Sequence, residues 1–281
     1  MNVLIQPPVS PDSIRKGRSG STRWHFLFMV LVGLFGHVRA DEELVLPLRL
    51  HLTQGATLVV RGLNLEVWVT PEEVKSIVLP EVNRIWKQAN IRFEIEKIAE
   101  EPIPDLPNRA RILQQIADFK RADVDQAHGS PFELTQSLFN PLEVHPAAIN
   151  VYFFPYVGET LQGVAALGGN RVLLGVWTNK FSHGQDPPKK TLLTEPEPLN
   201  VGSLSRTLSH ELGHGLTLTH PRKADLPKGR LMGGGKQGYL LTPEEIAKAR
   251  ESAKKHLEAF ARPHAKSNRQ PKGDAPTNHE G

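Results

Sequence analysis

Thr207-Leu208-Ser209-His210-Glu211-Leu212-Gly213-His214-Gly215-Leu216-Thr217-Leu218-Thr219-His220 places three histidines and one glutamate at spacings that a helix turns into a constellation. Four residues make slightly more than one helical turn, so His210 and His214 project from one face and can share an ion. Glu211 is turned about 100° from His210, beside that ion rather than on it. Leu204, Leu208 and Leu212 fall on a face that can enter a core and hold the helix still. Two imidazoles leave a zinc ion short of ligands, and an open site takes three protein ligands plus water. His220, ten residues after His210, supplies a third imidazole if the chain leaves the helix and turns back, and Gly215 permits such a break. With 12 His among 281 residues, His-Glu-x-x-His arises by chance at roughly 4%, and the version with the further His at about two in a thousand. The motif therefore carries the reading of the chain.

Outward from this stretch the pattern alternates between strands and helices. Leu44 to Thr53 alternates Leu48, Leu50 and Leu52 with Arg49 and His51, as a half-buried strand does. Thr70-Pro71-Glu72-Glu73 is a capping box with Pro at the first helical position. It opens a helix striped by Val74, Val78, Val82, Ile85 and Ala89, with a kink expected at Pro80. Ile91 to Glu96 alternates strictly and reads as a strand with one wet face. Pro107 to Lys120 reads as helix and Arg121 to Pro146 as a mixed loop region. Ile149 to Phe154 and Val172 to Trp177 read as buried strands, with Phe153, Phe154 and Tyr156 as core and strand-end residues. Gly163 to Gly169, between them, is too rich in Gly for a regular element. Ser182 to Asn200 reads as a polar, Pro-rich surface loop. Thr242-Pro243-Glu244-Glu245 is a second capping box, and Ile246, Ala249, Ala253, Leu257 and Phe260 stripe the helix that follows. The chain from 263 to 281 is polar without apolar periodicity and is expected to be a disordered tail.

The formal charge of +4 does not mark a polyanion-binding surface. Residues 1–40 hold Arg15, Lys16, Arg18, Arg23 and Arg39 against Asp12 alone, which leaves 29 basic and 29 acidic residues in the remainder. No nucleic-acid partner is expected. The same segment has an apolar run from Trp24 to Gly36 behind its basic residues and ends in Val38-Arg39-Ala40. That run is shorter than the roughly 20 residues a membrane span needs and fits a signal peptide over 1–40. The expectation is export, extracellular or periplasmic, with no membrane attachment after cleavage. The absence of Cys removes disulfides and thiolate ligands, so core packing and a metal must hold the exported fold.

His210-Glu211-x-x-His214 with His220, followed by Leu231-Met232-Gly233, resembles the metzincin zinc endopeptidases, closest in feel to the matrixin and pappalysin branches. The resemblance runs from about Leu44 to Phe260 and fits a domain over residues 41–262. It implies an α+β fold in which a twisted, mixed five-stranded sheet packs on long helices, with a cleft beneath an edge strand. It implies that Met232 forms the turn under the metal, that the backbone around Gly163 to Leu174 pairs with an extended peptide, and that residues near Met232 to Tyr239 shape a substrate pocket. One departure stands out. The family pattern has Gly seven residues after the first His, and here Thr217 occupies that place, although a β-branched residue at positive φ is costly. The cysteine switch of the matrixins is absent.

Those residues imply one zinc ion, a protein or peptide substrate, and Glu211 as the general base that takes a proton from the attacking water. Two alternatives stay open. In a gluzincin geometry a later Glu completes the site, with Glu244, Glu245 and Glu251 as candidates. In the other, the chain is a zinc-stabilised binding module without hydrolysis, which Glu211 argues against. His128, His145 and His183 lack metal spacing and read as solvated. Asp123 and Asp125 do not complete an EF-hand, so calcium is left open without a motif to support it. Oligomeric state is not legible.

Overall fold

The computed structural model describes residues 42–103, 105–118, 145–158, 161–179, 187–194, 202–222, 229–233 and 238–261. All lie in the unit Glu42–Gly281. The expected signal segment, most of the 121–146 loop region and the polar tail fall outside the described residues. No described helix is long and apolar enough to cross a membrane.

Strand β1 (Leu44–Gln54) is the longest strand but one and lies inside the sheet. It pairs in parallel with β4 (Ile91–Pro102) on one side and β5 (Ile149–Phe154) on the other. β7 (Arg171–Gly175) continues the sheet in parallel, and β6 (Gly163–Ala165) closes that edge antiparallel, giving the order β4-β1-β5-β7-β6. The five-stranded, mostly parallel sheet follows from the sequence pattern: parallel strands need crossover connections, and helices fill them. Short β2 (Leu58–Val60) and β3 (Leu63–Leu65) form a separate hairpin.

One face of the sheet presents Leu46, Leu48, Leu50, Leu52, Val151 and Phe153 to a helical layer. The first helical segment begins as α1 (Pro71–Glu73), capped reciprocally by Thr70 and Glu73, and continues as α2 (Leu79–Trp86). Between the two lies a π turn, Val74–Val78. The expected kink at Pro80 therefore takes this form: Pro80 has no N–H for the carbonyl four residues back, and the wider turn accommodates its ring. A 3₁₀ turn, Lys87–Ala89, ends the segment at Asn90, which sits at φ +49° before β4 begins. The other face is covered by α3 (Arg109–Ala117) and the hairpin, around Ile112, Ile116, Tyr152, Phe154 and Tyr156. The helix expected from Pro107 thus begins at Arg109, and residues 119 and 120 fall outside the described set.

Three expectations are corrected. His51 is not on a wet face but is fully buried. Its Nδ1 lies 2.9 Å from Glu101 Oε2, its Nε2 3.3 Å from Asn150 Oδ1, and its ring stacks on Tyr152. Each ring nitrogen thus faces a polar partner within the core, as buried polar groups generally do. Second, Gly163–Ala165 is a strand despite its glycine, because a partner strand supplies the ladder that local propensity does not. Third, the run from Val172 divides at Val176 into β7 and β8 (Trp177–Thr178). β8 pairs with β9 (Lys189–Lys190) inside the stretch expected to be loop. Lys190 Nζ lies over the rings of both Trp68 and Trp177, a cation–π contact that fastens this ribbon to the body.

Candidate metal centre

Helix α4 (Leu204–Gly215) starts at Ser203, whose hydroxyl accepts from the Arg206 N–H. Leu204, Leu208 and Leu212 are buried in the core under the sheet. That apolar seam fixes the helix, and His210 and His214 emerge from its half-buried side. The helix has Gly215 as its last residue, as expected. It ends in a Schellman arrangement: the Leu218 N–H donates to the Gly213 carbonyl at 2.8 Å and the Thr217 N–H to the His214 carbonyl at 2.9 Å. The residue such an arrangement needs in the left-handed region is Thr217, at φ +67°. Glycine at 215 serves a different end. A Cβ there would lie 3.2 Å from the Gly169 carbonyl, and the neighbouring Gly168 N–H donates to the His214 carbonyl.

The turn returns His220 to the helix. Its Nε2 lies 3.0 Å from His210 Nε2 and 3.2 Å from His214 Nε2. Among the described residues, these three form the one group of metal-ligating side chains close enough to share an ion. Their chemistry fits a zinc ion. His210 Nδ1 donates to the Leu231 carbonyl at 2.7 Å and His214 Nδ1 to the Leu218 carbonyl at 2.8 Å. A carbonyl can only accept, so the protons of His210 and His214 sit on Nδ1, and their Nε2 lone pairs lie beside His220 Nε2. Two Nε2 lone pairs set in this way suit a cation shared with His220. Tetrahedral zinc with Zn–N bonds of 2.0–2.1 Å spaces its ligands by about 3.3 Å, close to the separations observed.

Glu211 is buried, one residue from the cluster and off the histidine face. Met232 is fully buried, and its thioether seats on Gly213 between the two helical histidines: a Cβ at that position would meet Met232 Sδ at 2.6 Å. Met232 directly follows Leu231, whose carbonyl orients His210. The alternative carboxylates are engaged elsewhere. Glu245 caps Thr242 and pairs with Arg230, and Glu251 pairs with Lys255 at 2.6 Å. Glu244 is exposed, with its carboxyl held below the ordinary value by hydrogen bonds from its own backbone N–H and from Thr242. His145 is half-buried, 3.6 Å from Glu96, rather than fully solvated; His128 and His183 lie outside the described residues.

Two site contacts were not legible in the sequence. His256, on the C-terminal helix α5 (Pro243–Ala261), reaches the Gly215 carbonyl at 3.1 Å. Gly163, on β6, abuts Glu211. Neither carries a sequence signal, since both depend on elements remote along the chain.

No family model matches this chain, and no curated protein matches it in sequence. Among solved structures, archaemetzincin from Methanopyrus kandleri is similar at 14% identity and a TM-score of 0.40, over 77% of this chain and 98% of that one. Metalloproteinase-II from Bacteroides fragilis is similar at 12% identity and a TM-score of 0.37, over 75% of this chain. The match spans 53% of the Bacteroides protein, about half its length. At these values neither likeness bears on activity.

Proposed function

We propose that this protein is an exported zinc-dependent endopeptidase of metzincin type, with residues 41–262 as its hydrolytic domain after removal of 1–40. The observation that carries the reading is the convergence of three Nε2 atoms, two with their tautomers set by backbone carbonyls, beside a buried carboxylate that is not one of the three. A purely structural zinc site closes its fourth position with another ligand and has no use for such a carboxylate. His210, His214 and His220 hold one zinc ion, and the Met232 turn supports them from below.

When bound, zinc would lower the pKa of its water into the neutral range and polarise a peptide carbonyl. Glu211 accepts a proton from the attacking water and returns it to the leaving amine nitrogen, and its burial keeps bulk water from competing for that proton. The exposed backbone edge of β6 pairs with the extended peptide by strand addition. Residues past Met232 shape the side-chain pocket.

The test is hydrolysis of casein or a peptide library by the zinc-loaded protein, with and without a chelator. Glu211→Gln is expected to retain zinc while the rate falls by about 10²–10⁴. Equal rates for wild type and Glu211→Gln would overturn the mechanism, and no cleavage by either would favour a zinc-stabilised binding module. His220→Ala is expected to lose most of its zinc. Full zinc and full activity in that variant would move the third ligand elsewhere.

A further inference from the structure

Gly163 opens β6 opposite Leu174 of β7, and nothing about its backbone calls for glycine, since its φ lies outside the left-handed region. What calls for glycine is space. A Cβ built there would sit 2.7 Å from Glu211 Cγ, 2.9 Å from Thr207 Cγ2 and 3.0 Å from Glu211 Oε1. Thr207 and Glu211 are four residues apart on α4, so they present one face of the helix to the edge strand. The strand cannot readily retreat. Gly175 N–H donates to the Gln162 carbonyl, and the Gln162 amide donates to the Gly202 carbonyl, just ahead of the α4 cap. Strand and helix are therefore clamped at a separation that leaves room for the Glu211 side chain and for no atom more.

We propose that Gly163 is a positioning residue: the missing side chain forms the socket that confines the Glu211 carboxylate. This rests on the reading of Glu211 as the proton-transfer group. A methyl group at 163 meets Glu211 at Cγ, near the root of the side chain, so relief requires a different χ1 and moves the whole carboxylate. A displacement of about 1 Å can cost on the order of 10²-fold in rate. The histidines on the adjacent face keep their places.

Two measurements test this. In the zinc-loaded protein, Gly163→Ala is expected to lower kcat by about 10²-fold, with zinc content and KM little changed. In a Glu211→Gln background the same substitution is expected to cost less than about twofold, because the base it displaces is already gone. Undiminished kcat in Gly163→Ala, loss of zinc, or an equal further loss in the Glu211→Gln background would overturn the proposal. The second measurement needs no turnover. Thermal unfolding of the metal-free protein is expected to show Gly163→Ala lowering Tm in the wild-type background. In a Glu211→Ala/Thr207→Ser background, which removes the three clashing atoms, Gly163→Ala should leave Tm unchanged. Folding of Gly163→Ala only in that relieved background would support the socket equally, and an equal drop in both backgrounds would refute it. If wild type hydrolyses nothing, the peptidase reading fails, while the unfolding cycle still decides whether Gly163 seats Glu211.

Discussion

Thr217 shows how a single residue can sit against its own propensity. The third histidine returns to the helix only because this β-branched residue adopts φ +67°, a conformation that costs an L-residue roughly 1–2 kcal/mol. The chain retains the geometry because three backbone hydrogen bonds close the turn around it, from Leu216, Thr217 and Leu218 to carbonyls of the last helical turn. Thr217→Gly removes the strain at some cost in unfolded-state entropy, so it is expected to raise stability by about 1 kcal/mol while zinc affinity holds, as denaturant titration and metal competition would show. The sequence disclosed part of this. The histidine spacing, the oddity of Thr217 and the end of the helix at Gly215 were all visible. Not visible was the pairing of carbonyls 213 and 214, which puts the left-handed residue of the cap at 217.

At the level of elements, α5 holds the site from behind. Its apolar stripe and capping box were legible, because 3.6-residue periodicity and a Thr-x-x-Glu start are local signals: Ala249 and Ala253 are buried, and Thr242 and Glu245 cap each other. Arg250, in the same helix, was not legible as a structural residue. Its guanidinium is buried and donates to the carbonyls of Ala89, Asn90 and Glu42, tying α5 to the end of the first helical segment and the start of β1. Arg250→Met keeps the bulk and removes this donor from all three carbonyls, of which Asn90 retains the Leu44 N–H, so it is expected to cost on the order of 1–3 kcal/mol in chemical denaturation. Thr242→Ala is expected to cost about 1 kcal/mol through the lost cap. The cap also has a pH signature. The Glu244 carboxyl is lowered by its own backbone hydrogen bond and by Thr242. Its stabilising contribution is therefore complete above the unfolded carboxylate value, near 4.3, and fades as pH falls through the lower folded value. In Thr242→Ala the acid limb of the stability profile should flatten.

Across the whole molecule, alternation and apolar runs marked most strands, but not their order. That β1 lies between β4 and β5, and that β6 closes the edge in reverse, are facts of long-range pairing. His51 looked wet in the sequence because its partners Glu101 and Asn150 come from the two flanking strands. The candidate metal site is assembled across a comparable range. Its three histidines come from α4 and the turn after it, and the carbonyl orienting His210 comes from Leu231. An ion bound there joins the helix to two later turns in a chain with no disulfide to do so. Because such an ion binds mainly the folded state, free zinc at 100 times its Kd should add about 2.7 kcal/mol. For a unit of this size that corresponds to a rise in Tm of roughly 5–10 °C. The increment should disappear in His214→Ala, which has no second helical ligand. Hydrogen exchange should slow on zinc addition at 204–220 and 229–233, and little in β1, β4 and β5, whose ladder owes nothing to the ion. An unchanged Tm on zinc addition, or protection spread evenly over the sheet, would mean that the three imidazoles do not close around a metal.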